Sequence, residues 1–378
     1  AAGTATLPIT IQGYNATRGD DPRGSTRPVF NAGAAVFTLA SQWYIKNMQF
    51  VGTASPVLTT GNFNNMIYCK AINSSLTSNR AAIIAGSYTN LYFCEAASYR
   101  GLGINASGNN AIYGCYIHSS VTGIYNSGNA YLVVTNCLIV GCTTNGIWND
   151  APSTISNVFS NNTIYGYNTP VASSRGIRYD SGGRVGAAHN NIISGWAVGL
   201  YHEDVGQSVF IENYNCFYNN TANTQNVTLG ANSITSDPSF TSVGYLSGTT
   251  ATTSGSVLTQ SGGDFSTVVD GQDYLYLTAG TGINTGIYGI TAHTATTVTL
   301  DIAPGTSAVT DKAWRIVTGR NFAIGANAKN AGAPTVFTNT PTNTFVDLGA
   351  AQSQFGSGGS GSGGGSGGGS VGGFNGFG

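Results

Sequence analysis

"YGCYIHSSVTGIYNSGNAYLVVTNCLIVGCTTNGIWND", residues 113–150, carries one pattern twice. Cys115 is followed two residues later by Ile117, and Cys137 by Ile139, with Ile112 and Val134 standing three residues before each cysteine. About ten residues further on, "TGIYNS" and "NGIWND" bring Ile124 and Ile147. Gly, Asn, Ser and Thr fill the intervals, and these are turn-forming residues. The apolar residues alternate with period two, and no helical period runs through the stretch.

Working outward in both directions, the first position recurs as Met48, Cys69, Cys94, Cys115, Cys137, Asn162, Asn191 and Asn215, in steps of 21 to 29 residues. Two residues later come Phe50, Ala71, Ala96, Ile117, Ile139, Ile164, Ile193 and Phe217. The second element recurs as "LGIN", "TGIYNS", "NGIWND", "RGIRYD" and "VGLYHED", with Ile104, Ile124, Ile147, Ile177 and Leu200 as its apolar members. Short strands returning at this interval describe a solenoid. A single coil cannot bury its own inward side chains, and stacking coils about 4.8 Å apart buries them in ladders of like residues. Asn in a corner column is expected to form an amide ladder with the next coil. The sequence therefore resembles the right-handed parallel β-helix proteins of the broad pectate-lyase-like superfamily. The resemblance implies an all-β solenoid and leaves function open, since lyases, hydrolases, phage tailspikes and non-catalytic surface proteins share that fold.

The expected organisation is a parallel β-helix over 1–242, a small inserted β-rich module over 243–320, a return segment or last coil over 321–354, and a Gly/Ser-rich tail over 355–378. Cys69, Cys94, Cys115 and Cys137 read as small apolar fillers of an inward ladder, because no Cys or Cys/His pair has zinc spacing. Cys142 and Cys216 fall off that column, and their pairing is left open. The 378 residues carry a net charge of −1 with 8% charged residues, which offers no electrostatic footprint for nucleic acid. No secretory leader is visible at the start, and no apolar run of about 20 residues is long enough to span a membrane. No capping helix is visible at either end, so both solenoid ends are expected to need a partner.

If Ile147, Ile177 and Leu200 point inward, their successors point outward. That column reads Asn105, Tyr125, Trp148, Arg178, Tyr201, and two residues on it reads Ser107, Ser127, Asp150, Asp180, Glu203. Asp150, Asp180 and Glu203, with Arg178, are the candidate catalytic residues. Carboxylates on adjacent coils raise one another's pKa and suit a retaining glycosidase, those on alternate coils an inverting one. An acidic ladder also suits Ca²⁺, as in lyases of the superfamily; no other cofactor is expected. The alternative is a solvated face with stabilising charge contacts. The paired-Asp and Gly-His-Gly motifs of polygalacturonases are absent, and so is an obvious Arg-x-x-Arg pair like that around the pectate lyase base. Tyr125, Trp148 and Tyr201 form a candidate glycan-binding stripe, since such rings stack on sugars. The expected function is a non-catalytic subunit of an extracellular or virion-associated fibre with a glycan-contacting surface. The alternatives are a polysaccharide lyase or glycoside hydrolase, and a glycan-binding adhesin or tailspike. Self-association is assigned to the solenoid ends and to the glycine tail, docked in a groove through Phe355, Val371, Phe374 and Phe377.

Overall fold

The computed structural model describes residues 4, 8–17, 27–53, 56–75, 80–128, 131–150, 157–166, 172–180, 185–203, 209–240, 246–271 and 273–317. The expected return segment at 321–354, the glycine tail and its anchors Phe355, Val371, Phe374 and Phe377 lie outside them. The fold is all-β: a parallel β-helix of three nine-stranded sheets, plus a closed six-stranded antiparallel barrel. The first sheet runs from Ile9–Gln12 to Val209–Asn213, the second from Val29–Gly33 to Cys216–Tyr218, and the third from Phe37–Leu39 to Ala222–Gln225. Each coil contributes one strand to each sheet.

The repeating columns stand in register. Ile45, Met66, Leu91, Ile112, Val134 and Phe159 pair successively in the first sheet. Phe50, Ala71, Ala96, Ile117, Ile139, Ile164, Ile193 and Phe217 do so in the second. In the third, Ile83, Ile104, Ile124, Ile147, Ile177 and Leu200 align. All of these side chains are buried in one continuous core. The glycine before Ile104, Ile124, Ile147, Ile177 and Leu200 is a steric requirement. A Cβ at Gly146 would lie 2.4 Å from the Ile164 Cγ2 and 2.6 Å from the Gly176 oxygen.

From the second coil onward, the corner between the first and second sheets turns on one left-handed residue per coil. These are Asn47, Tyr68, Phe93, Gly114, Asn136, Asn161, Asn190 and Tyr214, with φ between 53° and 62°. Gly and Asn adopt that region readily, whereas a bulky aromatic there costs about 1 kcal/mol or more. The next residue is the laddered column. The Asn162 and Asn191 backbone N–H groups donate to the Oδ1 of Asn191 and Asn215 at 2.9 Å, and the Nδ2 groups of Asn162, Asn191 and Asn215 donate to Val134, Phe159 and Ala188 carbonyls at 2.8–2.9 Å. The cysteines continue the ladder more weakly: the Cys94 and Cys115 N–H groups donate to the Cys115 and Cys137 sulfurs at 3.4 Å. All six cysteines are free and buried, Cys142 and Cys216 included.

The two ends differ. At the C-terminal end residues 226–236 lie over the last coil. Ile234 exchanges backbone hydrogen bonds with Asn215 and Phe217 at 2.8 and 2.9 Å, and the Gly230 N–H donates to buried Glu212. At the N-terminal end the first strand of the second sheet leaves Val29 and Phe30 exposed.

The barrel comprises Ser247–Ser254, Val257–Thr259, Tyr274–Ala279, Gly286–His293, Thr297–Leu300 and Ser307–Val317 around a core containing Phe265, Leu275, Tyr288 and Trp314. It sits on the outward face of the second sheet. Tyr274 and Ile287 pack with Ile72, Ala97, Tyr99 and Tyr116, and the Tyr99 hydroxyl donates to Asp301 at 2.8 Å. Of the three outward faces the barrel covers the second.

Candidate functional site

The third sheet aligns Asn105, Tyr125, Trp148, Arg178 and Tyr201 in one register column on five successive coils. The acids continue the ladder one residue beyond each strand. The N–H groups of Asp150, Asp180 and Glu203 donate to the carbonyls of Asn126, Asn149 and Tyr179 at 2.9–3.0 Å. Asp150, Asp180 and Glu203 therefore occupy adjacent coils.

Three of their contacts run diagonally, from a donor on one coil to an acid on the next, and one, from Arg178 to Asp180, stays within a coil. The Tyr125 hydroxyl donates to Asp150 Oδ2 at 2.7 Å, and Trp148 Nε1 donates to Asp180 Oδ2 at 2.7 Å. Arg178 donates from Nε to Asp180 Oδ1 at 2.7 Å and from Nη2 to Glu203 Oε2 at 2.8 Å. The Arg178 guanidinium lies 4.5 Å from the centre of the Trp148 ring, and the Tyr125 and Trp148 rings lie 4.8 Å apart. Arg175 covers Tyr201 in the same manner at 4.3 Å. An Arg-x-x-Arg spacing is therefore present, as Arg175-Gly176-Ile177-Arg178, which corrects the expectation of its absence. Gly176 made it hard to see: the irregular step at the glycine brings both arginines to the outer face, where strict alternation separates them.

The electrostatics follow from the sharing of Arg178. Burial pushes the Asp180 carboxyl up to about 6; hydrogen bonds from Arg178 and Trp148 oppose this, and Glu203 reinforces it. Glu203 is held below its ordinary value by hydrogen bonding with Asp180 and Arg178. Burial and the bond to Asp150 raise the Tyr125 hydroxyl to about 12. Near neutral pH the patch thus holds one carboxyl close to its titration point beside one that stays ionised. Among the described residues no three His, Cys, Asp or Glu side chains converge as metal ligands.

A second charged group, absent from the sequence reading, lies under the barrel. Glu95 accepts from Lys70 at 2.9 Å and lies 3.1 Å from His118 Nε2, with the Tyr274 hydroxyl at 3.4 Å. Burial raises the Glu95 carboxyl, but Lys70 and His118 outweigh it and hold the group far below its ordinary value. Burial lowers His118, with Glu95 opposing. Enclosed on every side, this group joins two parts of the fold and does not face a ligand.

The family model described as the right handed beta helix region matches residues 57–214. The chain carries a right-handed parallel β-helix. Similar solved structures include the pectate lyase Pel9A, with 13% identity over 93% of this chain and 81% of that one at a TM-score of 0.46. A tailspike protein of an Acinetobacter phage shares 12% identity over 85% and 82% of the two chains, at a TM-score of 0.32. A tailspike of a Pseudomonas phage shares 13% over 76% and 66%, at 0.26. No curated protein sequence matches this chain. Among the described residues no helix is long and apolar enough to cross a membrane.

Proposed function

We propose that this β-helix is a secreted, cell-surface or virion-associated protein that holds a polysaccharide along the outer face of its third sheet. The supporting observation is the state of the three acids. At Asp180 both carboxylate oxygens are engaged by protein donors, and Asp150 and Glu203 each have one oxygen held in the same way. Groups so committed form a fixed polar edge beside the rings of Tyr125, Trp148 and Tyr201, which suits binding better than turnover. Rings of this kind stack on the apolar faces of sugars while the charged groups meet hydroxyls. Assembly into a fibre through the solenoid ends and the segment 355–378 belongs to the same proposal. On a glycan microarray Trp148→Ala is expected to lose retention at least tenfold, and unchanged retention refutes the platform.

One observation favours polysaccharide cleavage as a second reading. Asp180 titrates near 6 beside ionised Glu203, which is the arrangement of an acid and its neighbour in glycoside hydrolysis. Reducing-end and unsaturated-product assays on acidic and neutral polysaccharides test it. Activity lost in Asp180→Asn supports cleavage; no activity on any polymer removes it.

A further inference from the structure

The outward face of the first sheet carries a second set of aromatic residues. At the corner leading into this sheet, Phe63 and Tyr88 are both left-handed, with φ of 59°. They stack 4.8 Å apart at an interplanar angle of 1° and remain 52% and 49% exposed. At the corner leading out, Tyr68 and Phe93 are left-handed with φ of 53° and stack at 5.2 Å, while Tyr113 meets Phe93 edge-on at 5.5 Å. The three-residue strands Asn65–Ile67 and Asn90–Tyr92 lie between the two pairs, about 10 Å of chain.

Backbone strain distinguishes these rings from ordinary packing. At the outgoing corner, the next four coils use Gly114, Asn136, Asn161 and Asn190, residues that fit the left-handed region, and an aromatic residue returns there at Tyr214 in the last coil. Tyr68 and Phe93 hold the same conformation against its steric preference, and strained positions of this kind concentrate at binding sites. The chemistry of the face selects its occupant. Among the outward positions from Tyr44 to Tyr113, Lys46 is the single charged residue, and the column beside the rings holds Asn65 and Asn90, whose amides bond to each other at 3.1 Å. Ring edges, phenol hydroxyls and amides without counter-charges match an uncharged polymer of hydroxyl groups and C–H faces.

We propose that the first-sheet face between residues 63 and 113 is a separate binding surface for a neutral polysaccharide. It lies on a different sheet from Trp148 and does not depend on the third-sheet reading. Affinity electrophoresis through gels cast with a β-glucan, a mannan, an arabinoxylan, dextran or polygalacturonate tests it. The unaltered protein is expected to be retarded by at least one neutral polymer and more strongly than by polygalacturonate. Tyr68→Asn/Phe93→Asn is expected to raise that dissociation constant at least tenfold with an unchanged or higher unfolding midpoint, because asparagine suits the corner. Phe63→Asn/Tyr88→Asn repeats the test at the more exposed corner, should the first variant fold poorly. No retardation in any neutral gel overturns the proposal. So does a lowered midpoint with binding intact in both variants, which makes the stacks purely structural. Binding that survives both variants but falls in Trp148→Ala also overturns it, while sustaining the third-sheet reading. A dimer in sedimentation that these variants dissolve assigns the face to a second copy and overturns it too.

Discussion

Glu95 under the barrel and Asp180 on the third sheet are both shielded carboxylates with a cation within 3 Å, yet they shift in opposite directions. Glu95 has Lys70 largely to itself and gains His118 and Tyr274 as further partners. Asp180 divides Arg178 with Glu203 one coil away. Proximity to a cation does not fix a carboxyl's protonation; what counts is how many acids divide that cation and how much water remains. The first arrangement locks two parts of the fold together. The second leaves a titratable, ring-lined edge open to solvent.

The largest expected effect comes from removing each cation. Lys70→Met strands a buried carboxylate and should cost about 3–5 kcal/mol in denaturant unfolding. Arg178→Met should cost about 1 kcal/mol or less, since Asp180 can take up a proton and Glu203 faces water. Equal losses would erase the distinction between the two sites.

pH separates them next. The depressed folded pKa of Glu95 contributes stability above its ordinary value of about 4.3, lost as pH falls. The depressed His118 acts in the same sense, since the unfolded chain takes up its proton first, below about 6.5. Asp180 has the opposite sign: its raised pKa contributes stability below about 3.9 that is lost as pH rises through about 6. Between pH 6.5 and 4.5, a window in which His118 supplies the change at the junction, amide exchange corrected for intrinsic rates should quicken at 95–98 and 274–277 and slow at 177–180. A common direction at both places would contradict the assignment.

The smallest effect is local. Glu203→Gln gives Arg178 to Asp180 alone, so the Asp180 carboxyl, followed by its ¹³C shift, should titrate clearly below 6. An unmoved value would mean that desolvation alone sets it.

The third-sheet edge was legible in the sequence because the Gly-Ile doublet fixes register: Ile147 and Ile177 must face inward, so Trp148 and Arg178 face out. The same alternation hid Arg175, which reaches the outer face only through the irregular step at Gly176. The aromatic corners were illegible for a different reason. Left-handed positions announce themselves as Gly or Asn, as at Gly114 and Asn136, and Tyr68 and Phe93 depart from that rule. The barrel junction could not be read at all, since Glu95 and Tyr274 stand 179 residues apart with no shared pattern to connect them. The covered C-terminal end escaped as well, because the segment around Ile234 joins the second sheet outside the repeat.

The central claim, that the third-sheet edge holds a polysaccharide, is tested most directly by amide-exchange footprinting with the polymer that the protein retains. Protection is predicted at 122–126, 145–149, 175–179 and 198–202 in the unaltered protein and is lost there in Trp148→Ala. A saturating polymer that leaves those four strands unprotected would contradict the account, whatever it protects elsewhere.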